Sequence, residues 1–156
     1  MSETATSFRT VALSDGQAAL TLPLAQVTWP EVDLEHWQRF IRSFAGYGEQ
    51  TLSGILALRD AGDYFCAMFA YRVDPDVRRG LVLTVQLFTA VDLANSPKFA
   101  QRLLAAAEAK ARELGCSSVE IRLYRAQSNL AFQLRSLGLV DTAAIVSKAV
   151  ERPLPQ

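Results

Sequence analysis

The stretch Leu81-Val82-Leu83-Thr84-Val85-Gln86-Leu87-Phe88-Thr89-Ala90-Val91 decides how this chain is read. It is almost wholly apolar, which fits a strand in the middle of a sheet covered on both faces. Just beyond it, Ser96 and Pro97 mark a helix start, because a Ser oxygen can bond an orphan N–H and Pro is preset for the first helical position. That helix runs to about Leu114 on a stripe of Phe99, Leu103, Ala107, Ala111 and Leu114, with Glu108 and Arg112 as an exposed i,i+4 pair and Gly115 as a left-handed cap. Ser118 to Tyr124 is the next β segment. A helical crossover between two strands makes them parallel neighbours in a right-handed βαβ unit.

Upstream, Thr51 to Arg59 and Tyr64 to Val73 are joined to each other and to the 81–91 strand by short polar turns, Asp60 to Asp63 and Asp74 to Gly80, which predicts an antiparallel meander. Before it, Asp33 caps a helix whose apolar positions Leu34, Trp37, Phe40, Ile41 and Phe44 follow helical spacing and end before Gly46 and Gly48. The chain opens with Phe8 to Leu13 and Ala18 to Leu24 around Ser14-Asp15-Gly16-Gln17, where Asp-Gly predicts a tight hairpin. Downstream, Leu130 to Leu137 forms a short helix ended by Gly138, and the β-branched run Asp141 to Val150 reads as a last strand. The expected order is β-β-α-β-β-β-α-β-α-β.

Composition agrees with one domain spanning 1–156, with 1–7 and 152–156 loosely held ends. Half of the 156 residues are hydrophobic and 21% are charged. Sixteen basic and sixteen acidic residues cancel, with no run of five like charges, so a nucleic-acid partner is not expected. No segment reaches the apolar length of a membrane helix. The two cysteines, Cys66 and Cys116, lie far apart with no zinc-ligand spacing, so no metal and a reduced, cytoplasmic setting are expected.

The segment Gln101 to Gly115, together with Leu130 to Leu139 and its Leu137-Gly138-Leu139 ending, resembles the GNAT acyltransferase superfamily from about residue 18 to residue 150. The resemblance implies an α/β (α+β) fold: a mixed sheet with an antiparallel meander, a parallel βαβ unit, a short helix and a final strand, here with an extra N-terminal hairpin. It also implies acetyl-CoA as co-substrate, with main-chain groups of Phe88, Thr89 and Ala90 pairing with the pantetheine arm. The diphosphate would sit on Asn95, Ser96, Lys98, Phe99 and Ala100, since backbone N–H groups at a helix start attract phosphate. In that loop only Ala100 fits the family's small-residue pattern; Lys98 stands at a glycine position and Pro97 lacks an N–H. The Lys98 ammonium can reach a phosphate, or its stem can occupy the phosphate's space.

The family's usual Tyr on the last short helix corresponds to Leu134, which has no proton to give. Tyr124 is the substitute acid in chain order. Glu120 and Asp92 lie near strand ends and are candidates for the general base. Asn129 resembles a family Asn before that helix, and fits either a ligand contact or a helix cap. His36, the single histidine, reads as a surface residue. The acceptor would be a small-molecule or peptide amine. Against this stands a chain that keeps the fold as a ligand-sensing or protein-interaction module without catalysis, or one that pairs as a homodimer through its sheet edges.

Overall fold

The computed structural model describes residues 9–44, 52–91 and 97–150. The 81–91 run becomes β4, Gly80–Ala90, and it has a strand on either side. The sheet order is β1-β2-β3-β4-β5, built from β1 (Arg9–Ala12), β2 (Ser53–Arg59), β3 (Phe65–Asp76), β4 and β5 (Ser118–Ile121). The first four strands are antiparallel in sequence order, and β5 runs parallel to β4. The meander turns are closed by aspartates: Asp60 Oδ1 accepts the N–H groups of Gly62 and Tyr64, and Asp76 Oδ1 those of Arg78 and Arg79. Gly80 follows at φ 80°, where only glycine is unstrained.

Alternation along the strands sends side chains to two separate cores. On one face Leu56, Phe69, Leu83, Val85, Phe88 and Ala90 pack against α3 (Pro97–Glu113) and α4 (Ser128–Ser136). On the other, Ile55, Ala57, Met68, Ala70 and Leu87 pack against α1 (Ala18–Thr28) and α2 (Leu34–Phe44). The α3 stripe is as its periodicity predicts, with Leu103, Ala107 and Ala111 buried and Phe99 and Leu114 half-buried against the same core. Gly115, at φ 76°, caps the helix, and Cys116 N–H reaches back to the Ala111 carbonyl at 2.8 Å. Gly138, at φ 99°, does the same for α4.

Two expectations are overturned. The N-terminal hairpin does not form: β1 is a strand, but Ala18 to Leu24 lies in helix α1. Ser14-Asp15-Gly16-Gln17 carries both an Asp-Gly turn signal and a Ser-x-x-Gln capping signal, and the second wins. The Gln17 side chain accepts the Ser14 N–H at 3.0 Å, a 3-10 turn (Asp15–Gln17) follows, and Ala18, Thr21, Leu24 and Ala25 bury one helical face. That face outweighs the exposed Pro23, which would ordinarily break a helix. The last strand is also absent: residues 141–150 carry no regular structure and are all exposed, including Ile145 and Val146. A strand exists only by pairing, and its β-branched composition alone cannot hold it.

Candidate active site

The site begins with an irregularity in β4. Met68 pairs with Thr89, and Ala70 with Gln86, so the single residue Phe69 faces two, Leu87 and Phe88. The extra residue makes a β-bulge, and Leu87 is held at φ 56°, a left-handed conformation unusual for a leucine. Two consequences follow. Alternation shifts by one, so Phe88 and Ala90 continue the α3 face of Leu83 and Val85 while Leu87 turns to the α1/α2 face. The strand pairs with β5 only as far as Val85 and Ile121, with one further bond from Arg122 N–H to the Val85 carbonyl at 2.8 Å. Beyond that point β4 continues to Ala90 with no parallel neighbour among the described residues, and the two strands part.

Phe88, Thr89 and Ala90 lie on the β4 side of this gap, with their side chains fully buried. Across it, Gln127 Nε2 donates to the Phe88 carbonyl at 3.0 Å, and Gln127 Oε1 accepts the Tyr124 N–H at 3.1 Å. Gln127 had no signal in the sequence reading, because its partner lies thirty-nine residues away. Tyr124 itself stands after β5, which ends at Ile121, so it belongs to the loop and not to the predicted strand. Its ring meets Trp29 edge-on, with centroids 4.9 Å apart at 79°.

Trp29 links the gap to a pocket. Ala25, Trp29, Val32, Trp37, Phe40 and Leu87 form its apolar lining, His36 is the single titratable member of the lining among the described residues, and its volume is about 210 Å³. The walls are fixed from behind: Trp37 Nε1 donates to the buried Thr21 Oγ1 at 3.0 Å, and Gln26 Nε2 ties the Val32 carbonyl to α1 at 2.9 Å. His36 Nδ1 lies 2.7 Å from Asp33 Oδ1, which also accepts the His36 N–H at 2.8 Å. These hydrogen bonds from His36, backbone first, hold the Asp33 carboxyl below its ordinary value. The sequence reading placed His36 on the surface; it is exposed, and it also forms part of the pocket wall.

The remaining expected residues are spread more widely. Glu120 is in register with Thr84, before the strands part, and its carboxylate is engaged by Arg79, which also holds Asp76 Oδ2 at 3.2 Å. As a base it would first have to leave that pair. At the start of α3, Lys98 is exposed, Phe99 half-buried and Ala100 fully buried. Asp92, Asn95 and Ser96 lie outside the described residues. Asn129 is exposed within α4, which starts at Ser128, so it is not that helix's cap. Leu134 is 2% exposed and packs in the core with Phe88. Among the described residues, no group of three or more His, Cys, Asp or Glu is placed to hold a metal, and no helix is long and apolar enough to cross a membrane.

The architecture is that of the GNAT acetyltransferase fold. An aminoglycoside N-acetyltransferase solved in complex with CoA superposes with a TM-score of 0.74 at 10% identity, covering 97% of this chain and all of the other. A transcriptional regulator from Bacillus halodurans gives 0.75 at 10% identity over 92% of this chain and 100% of its own. Glucosamine-6-phosphate N-acetyltransferase from Arabidopsis thaliana gives 0.69 at 12% identity over 93% and 99%. No family model and no curated protein sequence matches the chain.

Proposed function

We propose that this protein transfers an acyl group from acyl-CoA, acetyl-CoA in the first instance, to an amine. The observation that carries the reading is the bulge at Leu87, which parts β4 from β5 and leaves the Phe88 carbonyl served by a side chain instead of a strand. A side-chain amide there can give way to an amide of a pantetheine arm. The arm would pair with main-chain groups of Phe88, Thr89 and Ala90. The diphosphate end would lie toward the first turn of α3, with Asn95 and Ser96 before it and Lys98, Phe99 and Ala100 within it. Exposed Lys98 is free to supply charge there, in compensation for the N–H that Pro97 lacks. Tyr124, whose backbone Gln127 anchors beside the gap, is the group assigned to protonate the departing thiolate. Positioning and the fixed dipoles of the gap would supply most of the rate.

A thermal-shift titration with acetyl-CoA tests this. A ligand at a hundred times its dissociation constant stabilises the fold by roughly 2.7 kcal/mol. Saturable stabilisation in wild type, reduced in Lys98→Ala, is the expected result. The absence of any shift at millimolar acetyl-CoA would favour a non-catalytic module built on the same fold.

A further inference from the structure

We infer that the pocket between α1, α2 and the β4 bulge receives an amine with an apolar body, and that His36, positioned by Asp33, takes the proton that frees its lone pair. This rests on the acyl-transfer reading above and goes further, naming the acceptor's class and its base. Three observations converge. Among the described residues the lining is apolar except for His36, so a sugar or polyhydroxylated amine would find few partners there for its hydroxyls, whereas an aryl or branched alkyl group needs none. The volume of about 210 Å³ suffices for a ring, since an apolar cavity of roughly 150 Å³ takes up benzene. The pocket meets the gap at Leu87 and through the Trp29 to Tyr124 contact, so an amine at its mouth stands next to where the thioester would lie.

His36 has the arrangement a general base needs. Its Nδ1 faces the Asp33 carboxylate at 2.7 Å, which makes Nδ1 the protonated nitrogen of the neutral ring and leaves the Nε2 lone pair to accept a proton. At the start of α2 and along it the neighbouring charges are Asp33, just before the helix, and Glu35 and Arg39, which pair with each other. The pocket walls from α1, from the Trp29 to Val32 loop and from β4 present Ala25, Trp29, Val32 and Leu87, none of them titratable. In the step itself, Nε2 removes one proton from the ammonium. The amine lone pair forms the C–N bond to the thioester carbonyl, the C–S bond breaks, and the thiolate leaves. The second proton shed by nitrogen as the amide forms passes to the thiolate, through Tyr124. Amide, CoA thiol and a protonated His36 are the products, with no other reactant required.

The probes are 2-phenylethylamine as apolar amine and ethanolamine as polar control, read by tryptophan fluorescence without CoA and by thiol release with acetyl-CoA. Saturable quenching and turnover with 2-phenylethylamine but not ethanolamine are expected. His36→Gln should lower kcat/KM by about a hundredfold or more and abolish the acidic limb of its pH profile, as removal of a general base does. Asp33→Asn should give a smaller fall in the same parameter, because Asn caps a helix as well as Asp but carries no charge. If acetyl-CoA binds and neither amine does, or if ethanolamine is preferred, the acceptor class is wrong while acyl transfer stands. Unchanged kcat/KM and pH profile in His36→Gln would overturn the base assignment alone. Amine binding without any acetyl-CoA binding would sink the acyl-transfer reading, and this inference with it.

Discussion

Gln127 and Phe88 are joined across the mouth of the β4/β5 gap: the glutamine amide donates to the Phe88 carbonyl at 3.0 Å while its oxygen holds the Tyr124 N–H at 3.1 Å. One side chain therefore closes the sheet where the strands no longer do. Replacing it with Leu removes both bonds, and at about 0.5 to 1.5 kcal/mol each the fold should lose about 1 to 3 kcal/mol in chemical denaturation. If an acyl-CoA arm takes the same carbonyl, the bond is also a competitor, so Gln127→Leu should bind acetyl-CoA more tightly than wild type by calorimetry.

A second pair, Trp37 and Thr21, supports the pocket from below. The indole N–H is buried and its partner is the Thr21 hydroxyl at 3.0 Å, which in turn donates to the Gln17 carbonyl at 2.9 Å. Thr21→Val preserves the shape and removes the acceptor. Denaturation should show a loss of about 1 to 3 kcal/mol, the cost of leaving a buried donor unmade. No loss would mean that Trp37 is not held as described.

Acid stability should report the turn before β4. The Arg79 side chain, then the N–H groups of Arg78 and Arg79, lower the Asp76 carboxyl from 3.8 to about 2. A carboxyl depressed in the folded state stabilises the fold above its ordinary value, and that contribution fades as pH falls through the folded one. Asp76→Asn should therefore be less stable than wild type at neutral pH, with the difference shrinking between about pH 4 and about pH 2. A difference that does not change over that window would contradict the turn geometry.

The C-terminal run offers a test of the overturned strand. Val146 is 93% and Ile145 64% exposed, and exposed positions tolerate substitution within about half a kcal/mol. Ile145→Ser with Val146→Ser should leave thermal unfolding close to wild type. A loss well above 1 kcal/mol would show that the segment is paired.

These cases mark how far the sequence could be read. The meander, α2, α3 and the parallel β5 were legible because hydrophobic periodicity, turn chemistry and caps all agreed at Asp33, Asp60, Gly115 and Gly138. Ser14 to Gln17 was ambiguous in principle, since the same four residues serve a hairpin or a helix start, and only the buried face of α1 decides between them. Asp141 to Val150 failed because strand formation depends on a partner edge, which local composition does not encode. The apolar run through Phe88 to Ala90 was readable as a strand, while its place at the site came from the family resemblance alone. The pairing of Glu120 with Arg79, the bridge through Gln127 and the place of His36 on a pocket wall were not, because each depends on contacts between distant segments.

Amide chemical shifts of the labelled protein during an acetyl-CoA titration test the central claim most directly. The account predicts saturable changes at Phe88, Thr89, Ala90, Tyr124 and Gln127 and in the first turn of α3 at Lys98, Phe99 and Ala100. Shifts that stay unchanged at millimolar ligand, or that gather away from the gap between β4 and β5, would contradict it.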